Sequence, residues 1–349
     1  MNYHELVFFS GFIFFILIML TIDLGIFNKH SHVIKFKEAL IWSTVWISLS
    51  ILFYVLIITH GDLIHGVSSF KDIERLISTY EHPIKIIPGD FEASLRIYRH
   101  NLGLEYLTGY LIEKALSVDN IFVMIMIFYA FNVEQKYYHH VLFWGILGAI
   151  IMRFLFIFVS STLIQHFSWT LYLFGLLLIF TGVKMFVSRN QEEKIDTHEH
   201  PVVRFASKFF SVFPRQEKGK FMIIHEKKFY IMPLFIVLLV IEFSDVLFAV
   251  DSIPAIFAVT KDPYIIFFSN IFAILGLRSL FFLLINIINT FHYLKAGLSI
   301  LLTVIGLKMI FHVFLEKIGF TTMHSLILVV VILGVSIILS LLFPQKKEI

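Results

Sequence analysis

The chain has 349 residues and a formal charge of +3, with 58% hydrophobic side chains, 41 phenylalanines and only 15% charged side chains. That balance describes an integral membrane protein whose solvent is lipid, and the small charge, carried mostly in loops, excludes nucleic acid as an expected partner. No cysteine is present, which rules out disulfides, thiolate metal ligands and thiol catalysis without reporting the redox compartment.

In chain order, the first apolar stretch, Leu6 to Phe27, has no Lys or Arg before it and no small-residue cleavage site after it, so it is expected to remain as a span. Stretches of this kind predict nine spanning helices, at 6–28, 38–60, 104–130, 138–163, 168–187, 232–259, 264–288, 293–314 and 323–343. The fold class is therefore an all-α membrane protein. Asp23 falls near the end of the first helix, where it either reaches interfacial water or takes part in coupling. Glu38 suits the start of the second through the helix dipole.

Two loops are long. Residues 61–103 mix charged and apolar side chains and predict a small cap with one or two short helices. Residues 188–231 contain VVRFASKFFSVF, which suits an interfacial helix, and FMIIHEKKFYIMP, which suits a hairpin. His198 and His200 lie in the same loop and are expected to be solvated. Lys and Arg are denser in the loops that include 188–231 and the C-terminus, which places the N-terminus outside and the C-terminus in the cytoplasm.

A repeat runs through the chain. SVDNIF (117–122) aligns with AVDSIP (249–254), which sets Glu113 over Asp245, Arg153 over Arg278, and TGVKMF (181–186) over IGLKMI (305–310). Each unit is three helices long, an odd number, so the two enter the membrane from opposite sides and place a substrate site between them near the midplane. The chain then divides into a two-helix element (1–60), the extracytoplasmic cap (61–103), a first unit (104–187), a cytoplasmic loop (188–231), a second unit (232–314) and a final helix with its tail (315–349).

Five carboxylates lie inside apolar runs: Glu113 and Asp119 in the first unit, and Glu242, Asp245 and Asp251 in the second. Each costs about 2.5–3.5 kcal/mol or more to place there, which marks them as functional. Glu242 and Asp245 share a helix face. Glu113 and Asp119, like Asp245 and Asp251, are about 240° apart on a regular helix and converge only if the helix is interrupted; Pro254 is expected to interrupt the second, freeing the Val250 carbonyl.

With Asn120 and Ser252, these acids form an oxygen ligand set suited to Mn, Mg or Ca. Met124 and Met126 offer a softer donor, although methionine on an apolar helix is usually packing. Five acids cannot all be charged in an empty low-dielectric pocket, so the pattern predicts exchange of a divalent cation for protons. Lys114, Arg153 and Arg278 are structural ion-pair partners or movable counter-ions, and Lys184 and Lys308 are expected to snorkel.

The runs LTGYLIEKALSVDNIFV, IEFSDVLFAVDSIPAIFAVTKDPYIIFFSNIFAILGLRSLFFLL and DLGIFNKHSHVIKFKEALIWSTVWISLS resemble the TerC family, and in particular its Alx-like branch within the LysE transporter superfamily. The resemblance covers nearly all of the membrane portion. It implies a multi-pass protein of the bacterial inner membrane linked to manganese export and metal homeostasis, with tellurium resistance as the historical label. It also carries the acidic motifs onto Glu113, Asp119, Asn120, Glu242, Asp245, Asp251 and Ser252, while the 61–103 loop is longer than the family pattern.

The expected function is efflux of Mn2+ as transported substrate, with protons as counter-substrate, no resident cofactor and no enzymatic activity. The rivals are transport of another cation, an oxyanion or an amino acid; an intramembrane aspartyl protease using Asp119 and Asp251, which lacks the YD and GxGD motifs; and a membrane scaffold, which would leave the buried acids unexplained.

Overall fold

The computed structural model describes residues 3–27, 36–167, 169–188, 202–204, 208, 211–212, 219–225, 228–285, 293–317 and 319–343. Helices dominate: α1 (Tyr3–Phe27), α2 (Phe36–His60), α3 (Asp62–His65), α4 (Phe70–Tyr80), α5 (Phe91–Ala130), α6 (Gln135–His166), α7 (Thr170–Val187), α8 (Pro233–Phe257), α9 (Pro263–Leu275), α10 (Leu277–Leu284), α11 (Leu294–Ile310), α12 (His312–Lys317) and α13 (Thr322–Leu342).

Among the described residues six helices, α1, α2, α6, α7, α8 and α13, are long and apolar enough to cross a membrane, and the pair α9–α10, bent by 41°, makes a seventh. The other two expected spans are helical, but α5 carries Glu113, Lys114 and Asp119 in its apolar half and α11 has only 17 residues. The outer faces suit lipid: Phe14, Leu52 and Phe180 are each more than 60% exposed.

The cap of 61–103 holds two short helices, as expected. Ser69 and Asp72 close a capping box at the start of α4. The rest of the expected cap belongs to α5, which begins at Phe91 with Asp90 accepting from the Ala93 amide at 2.9 Å. At 1.5 Å per residue its 40 residues reach ~60 Å, about twice the hydrocarbon thickness of a bilayer, and α3 and α4 of the cap pack against it. In the 188–231 loop the expected hairpin is present as β2 (Met222–His225) and β3 (Lys228–Ile231), antiparallel with Met222 opposite Ile231; β1 (Ser211–Val212) adds in parallel to β3. Of the expected interfacial helix at 202–213, residues 202–204 and 208 are helical, Ser211 and Val212 form strand β1 instead, and the rest lies outside the described residues.

Every residue of α9 is buried. A helix that is apolar around its whole circumference fits only where neighbours cover all of it. Rings of α1 and α2 stack against one side, with Phe12 4.5 Å from Phe268 and Phe53 4.9 Å from Phe272. The α5 and α6 helices pack against it as well. In α7 and α11, small residues allow the backbones to approach closely: a Cβ on Gly306 would lie 2.6 Å from the Gly175 carbonyl oxygen, and one on Gly182 would lie 2.7 Å from that of Ser299.

Candidate functional site

The expected interruption at Pro254 does not occur. The α8 helix runs unbroken from Pro233 to Phe257, and Pro254 falls in its last turn, where the loss of one amide and the ring's clash disturb only the helix end. Asp245 and Asp251 therefore keep their 240° separation and face different neighbours. Asp251 accepts from Thr181 Oγ1 of α7 at 2.9 Å. Asp245 is buried and faces α6, where it lines a cavity of about 10 Å3 with Arg153, Met124 and Gly145. That is room for about one water-sized sphere.

Arg153 is the hub of this region. Its Nη1 lies 2.6 Å from Glu113 Oε1 on α5 and 3.4 Å from Ser252 Oγ on α8, and it donates to Asn270 Oδ1 on α9. The Arg153 and Glu113 side chains are 3% and 0% exposed. The pair is close but off the hydrogen-bonding direction. Both Glu113 oxygens, together with Ser117 Oγ, Asn120 Nδ2 and Asn270 Nδ2, are buried with no hydrogen-bond partner among the described residues. Such orphaned polar atoms are costly, and their gathering on α5 and α9 marks a polar interior.

Glu242, one turn before Asp245, lies against the α6 backbone. A Cβ at Gly148 would come 2.1 Å from its Oε1, so glycine is what makes room for the carboxylate. Asp119 is half-buried on α5 and has partners of its own.

The break in the second unit is at Gly276, between α9 and α10. Lys114 Nζ donates to the Ala273 carbonyl there at 3.3 Å, and a Cβ on Gly276 would come 2.7 Å from that nitrogen. Lys114 thus serves the backbone that the break loosens. Arg278, just past the break and buried, has Nη1 3.2 Å from His139 Nε2 of α6.

The seven expected ligands are not gathered at one point. Glu113, Asp245 and Ser252 lie around Arg153, Asn120 lies two turns further along α5, Glu242 sits at Gly148, and Asp251 turns to α7. Among the described residues no three His, Asp or Glu side chains stand close enough together to hold a metal ion. The Asp23 side chain, His198 and His200 lie outside the described residues.

On the cap side a second buried polar network ties the α8–α9 connection down. His65 Nδ1 is 3.0 Å from Glu5 Oε1 and its Nε2 is 2.9 Å from Asp262 Oδ2. With a carboxylate on each nitrogen the ring is a donor at both, hence an imidazolium. Burial alone pushes the His65 pKa down, but the charges of Asp262 and Glu5 outweigh it and raise it to about 9. His82 Nδ1 pairs with Glu105 at 2.8 Å, Thr260 donates to the other Glu105 oxygen at 2.7 Å, and Lys261 pairs with Glu81. Thr260, Lys261 and Asp262 are thus all anchored.

Sequence reasoning missed Ser117, Thr181, Asn270, Gly148 and the His65 network. Asn270 offered a signal, as the one amide in the otherwise apolar run PYIIFFSNIFAIL; the others show only in three dimensions.

Comparison with known proteins supplies the family. The model of the "Integral membrane protein TerC family" matches residues 98–348. The chain belongs to the TerC family. A membrane protein of Myxococcus xanthus described as uncharacterized is 40% identical over 333 residues, 95% of this chain and 91% of that protein. The Alx proteins of Escherichia coli K12 and Shigella flexneri, named for a proposed role as membrane-bound redox modulators, are each 39% identical over 307 residues; these cover 86% of this chain and 84% and 85% of theirs. No solved structure matches. Membership establishes a multi-pass integral membrane protein with bacterial relatives, seated in a lipid bilayer.

Proposed function

We propose that this protein is a transporter that exports a divalent cation, Mn2+ first, in exchange for protons carried on its intramembrane carboxylates. The observation that carries the reading is the buried group Glu113–Arg153–Asp245 where α5, α6 and α8 meet, beside a cavity the size of one small ion. Buried charges at this depth are kept when they do work along an ion pathway. On this reading the structure is a resting arrangement in which Arg153 acts as a tethered cation, neutralising Glu113 and Asp245. A divalent cation entering from the cytoplasmic side displaces the guanidinium and takes Glu113, Asp245 and Ser252 as oxygen donors. Glu242, Asp251 and Asp119 then hold the protons that move the opposite way.

The packing partners fit two units placed with opposite sense. In such a pair α5 corresponds to α8, α6 to α9–α10 and α7 to α11; α5 meets α9 as α8 meets α6, and α7 meets α11. The anchored α8–α9 connection supports a closed cap side, and on this reading the waiting state opens toward the cytoplasm. The N-terminus is outside, the C-terminus is cytoplasmic, and the membrane is the bacterial inner membrane. The relatives' redox label has no thiol to act through here, since the sequence has no cysteine.

The test is uptake of Mn2+ into everted vesicles. A pH gradient, acid inside, should drive accumulation that collapses when the gradient is dissipated, and Asp245→Asn should remove it. Accumulation indifferent to the gradient rejects the coupling, and accumulation of another ion in place of Mn2+ rejects the substrate.

A further inference from the structure

A second cavity lies between α11, α12 and α13 near the cap. It has a volume of about 390 Å3, within the roughly 300–1,000 Å3 of small-molecule sites. Apart from Lys308 and Ser325 its walls are apolar, with Ile112, Ile305 and Val329 at its back. Phe311 and Phe314, 55% and 61% exposed, form its open rim toward the lipid. Directly beside it is a smaller cavity of about 90 Å3 lined by Thr260, Lys261, His312, Thr321 and Thr322. The two share the wall made by Ala258, Val259, Lys308, Leu315 and Phe320. An apolar chamber and a polar one thus meet at a single ammonium group.

Lys308 Nζ donates to the Ala258 carbonyl at 2.5 Å and to Ser325 Oγ at 2.8 Å, and stands 5.6 Å from the centre of the Phe320 ring. An ammonium has three donors, and both of its acceptors here are neutral. Its nearest carboxylate influence, Glu105, is already taken by His82, Asn101 and Thr260. Lys184, the equivalent position in the first unit, is exposed. What distinguishes Lys308 is α13, a helix outside both units, which lays Ser325 and Leu328 over it.

We propose that these paired cavities bind an anionic phospholipid of the leaflet on the cap side, its phosphate on Lys308, its acyl chain in the apolar chamber and its head group toward Thr321 and Thr322. A phosphate diester supplies both the negative charge and the acceptor oxygens that the third ammonium proton lacks. The acyl chain gains by filling walls that water cannot wet. The open rim lets lipid exchange laterally. This site does not depend on what the carboxylates transport.

The experiment is native mass spectrometry of the full-length protein released from detergent, titrated with phosphatidylglycerol or with diacylglycerol of identical chains, which lacks the phosphate. Wild type should retain phosphatidylglycerol roughly tenfold better, the worth of a charge-assisted hydrogen bond. Lys308→Met should erase that preference while leaving diacylglycerol retention unchanged, and Val304→Trp, which fills the apolar chamber, should weaken retention of both. Equal retention of the two lipids by wild type overturns the proposal without any variant. A preference that survives in Lys308→Met overturns it equally.

Discussion

Removing Arg153 exposes the logic of the buried hub. Arg153→Met keeps most of the side-chain volume but leaves Glu113, 0% exposed, without its cation. Breaking a buried pair from one side costs about 3–5 kcal/mol, whereas replacing both partners with neutral groups of similar shape is close to neutral. At roughly 2 °C per kcal/mol for a large chain, Arg153→Met should lower the thermal midpoint of the detergent-purified protein by about 6–10 °C. The double variant Arg153→Met with Glu113→Gln should recover part of that loss, Asp245 still lacking its cation. Scanning fluorimetry on the four proteins of the cycle gives the coupling directly. The functional half is separate: the partly recovered double variant should still fail to accumulate Mn2+ in everted vesicles, because its ligand is gone. A single variant as stable as wild type, or a double variant that transports normally, refutes the assignment of Arg153 as counter-ion and Glu113 as ligand.

Three further outcomes follow from other parts of the fold. Gly148→Ala puts a Cβ 2.1 Å from Glu242 Oε1, so transport should fall at least tenfold while the midpoint changes little, the displaced carboxylate being a flexible side-chain end; unchanged Mn2+ uptake would remove Glu242 from the pathway. Gly306→Val drives a branched side chain into the Gly175 backbone, and should cost about 1–3 kcal/mol as overpacking does, read as a lower midpoint. His65 is raised to about 9 in the fold from near 6.5 in the unfolded chain. Its stabilisation, ~3 kcal/mol at most, is therefore complete below about pH 6.5 and fades as the pH climbs through 9. Fluorimetry between pH 6 and 9.5 should show that decline in wild type and a flatter profile in His65→Gln; parallel profiles would detach the ring from the stability of the cap.

Much of this molecule could be read before its coordinates. The apolar runs that became α1, α2, α6, α7, α8 and α13 were visible because lipid demands length and hydrophobicity together. The acids were visible because charge in such runs is rare, and the hairpin at 222–231 because short β-prone segments flank a polar pair. What escaped was direction and distance. Pro254 looked like a break, yet so near the helix end it costs only a final turn. The bend is at Gly276 instead, where Lys114 from 159 residues away in sequence supplies a donor. A continuous α8 then separates Asp245 from Asp251, which a reading of one convergent pocket did not anticipate. His65 and Asp262, 197 residues apart, carry no local pattern that ties them together.

The central claim is that Glu113 and Asp245 jointly grasp the divalent cation when the Arg153 guanidinium moves off. Titration of purified protein with Mn2+, followed by the loss of its free paramagnetic resonance signal and by protons released to an indicator dye, measures this directly. The account predicts saturable binding accompanied by proton release, with both abolished in Glu113→Gln and in Asp245→Asn although each variant remains folded. Mn2+ bound as tightly by those two variants as by wild type would contradict it.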